Sequence, residues 1–197
     1  EAARAEPLAV CLHAVGQGPD LVGASVLVTG FGPIGALVLL VARHAGAGRI
    51  VVTDVAEEPL ALARQLGADA AVDSRQAGAL AAETGSSGVD VSFECSAHPA
   101  AIADAIAATR PGGTIVQVGM LGAETAAPLT HVVTKELAYR GTFRFDKEFG
   151  EAVALIATRE IDVRPLISGH FGIDAADAAF ALAQDRSRAM KVLFDLG

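Results

Sequence analysis

The 197-residue sequence contains no tryptophan, a single tyrosine and only two cysteines. Cys11 and Cys95 provide neither a disulfide framework nor a metal-ligand spacing, so a reducing compartment, the cytoplasm, is expected. Apolar runs of the roughly 18 residues that a membrane span needs are missing. The first six residues lack the apolar core of a signal peptide. An initiator methionine is also missing, so we expect a fragment of a longer protein.

Basic residues are fewer than acidic ones, since the chain contains 15 Lys and Arg and 23 Asp and Glu. The formal net charge of −8 argues against nucleic acid or an anionic membrane as the main partner. Apolar residues, in contrast, make up 52% of the chain, and only 19% is charged. This composition suits a sizeable hydrophobic core and excludes intrinsic disorder.

The most informative stretch is Val26–Gly35, which reads VLVTGFGPIG. Gly30, Gly32 and Gly35 have the G-x-G-x-x-G spacing. In a dinucleotide-binding turn the first glycine makes the bend, the second admits a pyrophosphate and the third lets helix and strand pack closely. The spacing alone is weak in a chain with 21 glycines. Its context of strand, turn, helix and second strand makes it a candidate phosphate-binding turn.

Predicted strands and helices alternate through most of the chain. Strands are predicted at 25–29, 49–54, 70–73, 89–93 and 114–118, with a sixth at 136–143. Helices are predicted at 34–45, 57–66, 76–84, 99–109 and, for a short one, 131–135. Short connections and strands that are apolar on both faces are typical of a parallel sheet covered by helices, the doubly wound α/β fold.

The two ends of the chain depart from this alternation. A helix over 7–15 is predicted at the start, with its apolar side chains on one face. The tail is predicted to contain a helix at 149–158, a segment at 163–171 that could hold a strand, a helix at 174–184 with Asp174 as N-cap, and a strand at 189–196. We expect this tail not to be another βαβ unit, and its last strand to need a pairing partner, for example in another domain.

Asp54 ends the second predicted strand, about 20 residues after the glycine motif, as in dinucleotide-binding proteins. A carboxylate there can accept hydrogen bonds from both adenosine ribose hydroxyls and repels a 2′-phosphate, which favours NAD over NADP. The alternative is a solvated loop acid. Methyltransferases that bind S-adenosylmethionine also use an acid after the second strand, but Pro33 and Ile34, with Gly35 opening a long helix, favour the dinucleotide.

The carboxyl ends of the strands line the ligand crevice in such a sheet. Four segments qualify: the glycine turn, Glu94–Ser96, Val118–Met120 and Phe143–Phe145. Gly119 would let the backbone approach a flat ring, and Val118 could hydrogen-bond a carboxamide through its main chain. Arg144 is the only basic residue in the segment at the end of the sixth strand. It could contact a ligand or be a solvated surface residue, and the sequence leaves both roles equally open.

The other reactive side chains are predicted to be structural. Cys95 reads as a packed core thiol, since no histidine partner is evident nearby. Glu6 reads by default as a capping acid at an exposed helix end. The histidines are scattered without ligand spacing and read as structural or surface residues: His13, His44, His98, His131 and His170.

Several short motifs spread over nearly the whole chain carry a family resemblance. They are Glu6–Val10, Val28–Gly35, Val52–Asp54, Phe93–Cys95, Gly112–Gly113, Val116–Gly119, Arg140–Phe145, Val163–Ile167 and Asp185–Lys191. Together they resemble the zinc-dependent medium-chain dehydrogenases, in the polyol branch of sorbitol dehydrogenase and especially L-idonate 5-dehydrogenase. The set of motifs is much more specific than the glycine turn alone.

The resemblance implies an enzyme that oxidises a secondary alcohol of a polyol or sugar acid, in which zinc lowers the pKa of the alcohol and a hydride passes to NAD. Glu6 would point toward the zinc and its bound water or substrate, and Arg144 with Phe145 would reach the polyol. Glu6 and Arg144 are therefore the candidate catalytic residues. The implied cofactor contacts are Gly30, Gly32, Pro33, Ile34, Gly35, Asp54, Val118, Gly119, Met120, Thr142, Phe143 and Arg144.

Two departures from the family limit what the resemblance implies. Sorbitol dehydrogenase tends to have Arg five residues after Asp54, where this chain has Pro59, so the preference for NAD over NADP is less strict. The zinc ligands of the family, a Cys and a His-Glu pair from an N-terminal barrel-like domain, are missing from this chain. We therefore expect a lead-in helix from that absent catalytic domain (1–24), an NAD-binding Rossmann domain (25–162) and a return segment to the catalytic domain (163–197).

Two functions stay open from the sequence. The first is the cofactor-binding part of a dehydrogenase that, alone, turns over little or no alcohol. The second is a free-standing NAD-sensing module without catalysis. The resemblance also implies that the sixth strand lies at a sheet edge that pairs between subunits of a homodimer or homotetramer, and the apolar, β-prone segment Arg140–Phe145 fits such an edge.

Overall fold

The computed structural model describes residues 1–122, 124–185 and 188–195. Its strands are β1 (Ser25–Thr29), β2 (Arg49–Asp54), β3 (Ala70–Asp73), β4 (Val89–Glu94), β5 (Thr109–Gln117), β6 (Ala138–Gly141), β7 (Gly169–Gly172) and β8 (Val192–Asp195). Its α-helices are α1 (Ala5–Gly16), α2 (Pro33–His44), α3 (Glu57–Gln65), α4 (Ala79–Thr84), α5 (Pro99–Ala108), α6 (Leu129–Thr134), α7 (Phe149–Thr158) and α8 (Ala176–Gln184). Short 3₁₀ turns lie at Ala2–Arg4, Arg164–Leu166 and Ile173–Ala175.

The first six strands form one parallel sheet in the order β3-β2-β1-β4-β5-β6. The chain runs outward from β1 to β3, then returns past β1 and continues outward from β4 to β6. This order confirms the predicted doubly wound fold. It also creates a point, between β1 and β4, at which the direction of winding reverses.

The core of the molecule follows from the continuous apolar runs of the central strands. Val26, Val28, Ile50 and Phe93 are completely buried in one cluster together with most of α2. Fully burying a side chain of this size contributes about 1.5–3 kcal/mol. α1 belongs to the same cluster, because it packs against α2 and α7 through buried side chains such as Leu8.

Several element boundaries differ from the sequence predictions. α4 begins only at Ala79, because Gly78 adopts a left-handed conformation with φ +78°. β6 is shorter than predicted, since Glu136 (φ +52°) lies in the turn that precedes it. β5 begins earlier, at Thr109, and its pairing with β4 is irregular between Val89 and Val91.

The prediction that the tail is not another βαβ unit was wrong. β7 and β8 pair in parallel, with His170 opposite Leu193, and α8 connects them, so the tail is itself a small βαβ unit. The partner of the last strand therefore lies within the tail. Asp174 does not cap α8, because it lies in the 3₁₀ turn ahead of it and Ala175 occupies the N-cap. Leu196, at the end of the predicted strand, lies outside the described residues.

No helix in the described part of the chain is long and apolar enough to cross a membrane.

Candidate functional site

The glycine turn connects β1 to α2 at the point where the winding of the sheet reverses. Gly30 has φ +82°, a left-handed conformation that glycine adopts without strain. Its N–H donates to the Thr53 carbonyl oxygen at 2.8 Å, which ties the turn to β2. A Cβ at Gly30 would lie 2.6 Å from the Cβ of Ser96, in the turn after β4. The first position of the motif is therefore restricted to glycine by both conformation and space.

The other two glycines of the motif meet opposite surroundings. A Cβ at Gly35 would lie 2.0 Å from the carbonyl oxygen of Gly30, so α2 can approach the turn only because this side chain is absent. A Cβ at Gly32 would meet no heavy atom within 4 Å. The third glycine thus permits close packing, and the second opens onto free space. Both arrangements match the roles predicted from the spacing.

The N-terminus of α2 is suited to an anion. Gly32 is the N-cap and Pro33 follows in the first turn, where its missing N–H costs no hydrogen bond. The first N–H groups of a helix lack acceptors within the helix, and the helix dipole places partial positive charge there. The first turn of α2 contains no acidic side chain to take up these donors. An incoming phosphate group would meet backbone donors at the start of α2 that no acidic side chain of the helix itself engages.

Asp54 lies at the carboxyl end of β2, and backbone groups hold its side chain. Its Oδ2 accepts a hydrogen bond from the Phe31 N–H at 2.7 Å. Its Oδ1 accepts from the N–H groups of Val55 at 2.7 Å and Ala56 at 3.0 Å. The carboxylate therefore fixes the glycine turn relative to β2 in addition to facing the cleft.

A cleft of about 570 Å³ lies at this edge of the sheet, within the size range of small-molecule sites. It brings together five of the predicted cofactor residues: Gly30, Gly32, Pro33, Ile34 and Asp54. The turn after β4 contributes Cys95 and Ser96. The tail contributes Ala183, Ala189 and Met190, and no sequence pattern predicted these three residues here.

Val118–Met120 lies beside this cleft and does not line it. The N–H groups of Val118 and Gly119 both donate to the Glu94 carbonyl oxygen at 2.8 Å. A Cβ at Gly119 would lie 2.5 Å from the Ala97 nitrogen and 2.9 Å from Oε2 of Glu94. Glycine is thus required here by the neighbouring turn, a reason that the sequence did not reveal. Met120 is exposed.

The segment after β6 begins beside Gln117, the last residue of β5. The Thr142 N–H donates to the Gln117 carbonyl oxygen at 3.2 Å, and the Thr142 hydroxyl is buried without a hydrogen-bond partner in the described structure. Arg144 has φ +56°, and its guanidinium lies 5.3 Å from the centre of the Phe143 ring. Phe145 packs against the main core and stacks on Phe149 at 6.0 Å.

The two candidate catalytic residues are not joined by any contact found among the described residues. Glu6 is exposed on the first turn of α1, and Arg144 is exposed in the segment after β6. Neither side chain lines the cleft at the glycine turn. Their roles stay predictions.

The contacts of Cys95, His13 and His98 agree with the structural roles predicted for these three residues. Cys95 is partly buried against the main core, and burial raises the pKa of its thiol well above the usual value, which keeps it protonated. His13 bonds Glu148 through Nδ1 at 2.9 Å and links α1 to the start of α7. His98 caps α5, because its Nδ1 accepts the Ala100 N–H at 3.2 Å. In the described ranges no group of three or more His, Cys, Asp or Glu residues could hold a metal ion.

A second groove, of about 470 Å³, lies between α4 and α5 and has a different character. Its two basic residues are already engaged: Lys135 donates to the carbonyl oxygens of Ile106 and Ala107 at 2.9 Å, and Arg110 pairs with Asp90 at 2.7 Å. The groove contains neither the glycine turn nor Asp54. We therefore take the cleft at the glycine turn as the candidate site.

The strand order, the glycine turn and the acid at the end of β2 define a doubly wound α/β protein with a candidate nucleotide site at the point where the winding reverses. Comparison with protein families makes this more specific, since residues 33–158 match the family described as zinc-binding dehydrogenase. The chain belongs to this family.

Individual relatives are similarly informative. The chain is 38% identical over 188 residues to L-idonate 5-dehydrogenase (NAD(P)(+)) of Escherichia coli K-12, covering 95% of this chain and 55% of the relative. It is 38% identical to human sorbitol dehydrogenase, covering 91% of this chain and 52% of the relative. A crystal structure of the Escherichia coli L-idonate 5-dehydrogenase superposes with a TM-score of 0.91 at 39% identity, covering 98% of this chain and 56% of that one. The chain spans about half the length of these relatives.

Proposed function

We propose that this chain is the NAD-binding part of an oxidoreductase that transfers a hydride from a secondary alcohol of a polyol or sugar acid to NAD. The observation that carries the proposal is the cleft at which the glycine turn and Asp54 face the same space. Family membership and similarity to L-idonate and sorbitol dehydrogenases support the class of reaction and substrate.

The glycine turn fits the pyrophosphate of a dinucleotide. Gly32 leaves open the space that a side chain would occupy, so a phosphate could approach the backbone there. The start of α2 would then supply N–H donors and a favourable dipole to the negative charge. Pro33 and Ile34 line the same part of the cleft.

Asp54 would bind the adenosine ribose. A carboxylate has about four acceptor positions, and Asp54 uses three of them on backbone N–H groups, so a ribose hydroxyl could take the remaining one. The negative charge disfavours the 2′-phosphate of NADP, which supports a preference for NAD. The preference is not strict in this proposal, because the Escherichia coli relative is named for both nucleotides.

The nicotinamide half would lie toward Val118–Met120 and Thr142–Arg144. Because the Val118 N–H is already bonded to Glu94, the Val118 carbonyl is the main-chain group left for a carboxamide. The buried Thr142 hydroxyl is a further polar group that such a ligand could satisfy. Glu6, Arg144 and Phe145 are proposed to reach the polyol or sugar acid, with Glu6 and Arg144 taking part in the chemistry.

Zinc does not fit the described side chains of this chain, because they provide no cluster of metal-ligating groups. We propose that the zinc of the whole enzyme is held by ligands outside this chain. What this chain would do in hydride transfer is to hold the nucleotide and orient its nicotinamide face. The isolated chain is therefore expected to bind NAD and turn over little or no alcohol, and robust oxidation of L-idonate or sorbitol by it would contradict this.

The edge of the sheet is the proposed subunit contact. β6 (Ala138–Gly141) is the edge strand on one side, and its last two residues begin the segment Arg140–Phe145 noted in the sequence. Edge pairing between two copies would form a homodimer or homotetramer. A cytoplasmic location is proposed with it. Light scattering of the purified protein tests the assembly.

Calorimetric titration tests the proposed function. Purified chain is titrated separately with NADH, NADPH and S-adenosylmethionine. The proposal predicts binding of NADH, weaker binding of NADPH and no binding of S-adenosylmethionine. Binding of S-adenosylmethionine but not of NADH would contradict the proposal and indicate a methyltransferase.

A further inference from the structure

Glu94, the last residue of the central strand β4, has a completely buried carboxylate. It lies on the side of the sheet where the strands have their carboxyl ends, which is also the side of the candidate site. It takes no part in the ion pairs found among the described residues. Burying an unpaired carboxylate is costly unless hydrogen bonds replace its hydration. Such a group at this place calls for a functional reason beyond filling space in the core.

The contacts of the Glu94 side chain are all to hydrogen-bond donors. Oε1 accepts from the Ser96 N–H at 2.8 Å, the Ser96 hydroxyl at 2.5 Å and the Thr29 hydroxyl at 3.5 Å. The Ala97 N–H lies 3.1 Å from both carboxylate oxygens. Gln117 donates to Oε2 through its side-chain amide. The carboxylate thus gathers donors from the ends of β1 and β5 and from the turn after β4.

Gln117 extends these contacts to the neighbouring turn. Its Nε2 also donates to the Gly119 carbonyl oxygen at 2.9 Å, and its Oε1 accepts from the Tyr139 hydroxyl on β6 at 2.5 Å. Tyr139 therefore fixes which end of the amide faces Glu94. Burial raises the pKa of Tyr139, so its hydroxyl stays protonated and remains a donor.

Two turns are held together by this arrangement. Ser96 lines the cleft and Ala97 abuts Gly119, while Val118 and Gly119 also bond the main-chain carbonyl of Glu94. We propose that Glu94 is a positioning residue for the nicotinamide half of the dinucleotide, because it fixes the two turns between which that half would lie. This inference rests on the proposed NAD site.

The test compares two ligands that differ only at the nicotinamide end. NADH contains the nicotinamide riboside, and ADP-ribose keeps the adenosine and pyrophosphate but lacks the nicotinamide. In the Glu94→Gln variant we expect the Kd for NADH to rise at least tenfold and the Kd for ADP-ribose to stay within twofold. Glu83→Gln is the matched control, because Glu83 pairs with Arg49 at the surface, and it should leave both values unchanged.

Tyr139→Phe provides a second, milder variant in case the first does not fold. It removes the one hydroxyl that orients Gln117 and should raise the Kd for NADH about threefold without changing that for ADP-ribose. Equal losses for both ligands would show a purely structural role and overturn the proposal, as would unchanged binding of NADH. If the unmodified chain binds neither ligand, the proposed function fails, which is a distinct outcome.

Discussion

Replacing Gly35 by alanine is expected to destabilise the protein, whereas the same replacement at Gly32 is expected to impair only binding. At Gly35 the new Cβ would lie 2.0 Å from the Gly30 carbonyl oxygen, and real Cβ atoms essentially never come closer than 3.0 Å to such an atom. Turn and helix must therefore separate by about 1 Å or more within a close-packed core. Overpacking of this kind costs about 1–3 kcal/mol, and occasionally more.

Urea unfolding followed by far-ultraviolet circular dichroism measures the difference. With a urea dependence of about 2 kcal/mol per molar, a loss of about 3 kcal/mol lowers the midpoint by roughly 1.5 M. In Gly32→Ala the new Cβ would have no heavy atom within 4 Å, so the urea midpoint should shift by no more than about 0.5 M. Its methyl group stands where the pyrophosphate is proposed to lie, so NADH binding should weaken by about tenfold. The chain contains no tryptophan, which allows direct reading of NADH fluorescence.

Two results would contradict these expectations. If Gly35→Ala unfolds at the same urea concentration as the unmodified chain, the close approach of α2 to the glycine turn does not exist. If Gly32→Ala binds NADH as tightly as the unmodified chain, the open space at Gly32 is not where the phosphates bind.

Three further predictions follow from individual contacts. Asp54→Ala should weaken NADH binding about tenfold and reduce the difference in affinity between NADH and NADPH, because it removes both the ribose acceptor and the charge that repels a 2′-phosphate. Calorimetric titration measures both affinities, and unchanged values would exclude the ribose role of Asp54. The hydrogen bond from His13 lowers the pKa of Glu148 to about 2. The Glu148 carboxylate should therefore stabilise the fold fully above about pH 4.5, and this stabilisation should decline as the pH falls toward 2. The difference in melting temperature between Glu148→Gln and the unmodified chain should narrow over this pH range, and a constant difference would contradict the prediction. Burial lowers the pKa of Arg4 to about 10. The Arg4 guanidinium donates to the Leu166 carbonyl oxygen, while its Nε has no partner in the described structure. Arg4→Met should therefore raise the melting temperature at neutral pH, and a lower melting temperature would show that the buried charge is stabilising.

The parts of the structure that local sequence encodes could be predicted. The glycine turn depends on residues within ten positions of one another, and Asp54 follows from the strand that comes next. The continuous apolar runs of the central strands require burial on both faces, which fixes the doubly wound class. For these features the local pattern and the tertiary structure impose the same requirement.

The parts that depend on contacts between distant residues could not be predicted. Glu94 and Gln117 are 23 positions apart, and only the register of β4 with β5 places them side by side. A signal was nevertheless present, since each is a polar residue that ends a strand directly after a buried apolar residue, Phe93 or Val116. The pairing of β7 with β8 was missed because each strand has only four residues. The tail residues in the cleft were missed because nothing in their own sequence marks contact with a ligand.

The most direct test of the NAD site is an NMR titration of the ¹⁵N-labelled 20.0 kDa chain with NADH. We expect the largest amide shifts at Gly30, Gly32 and Ile34, with a second group at Val118–Met120. Titration with ADP-ribose should reproduce the first group without the second. Shifts confined to the groove between α4 and α5, with the glycine turn unaffected, would contradict the central claim.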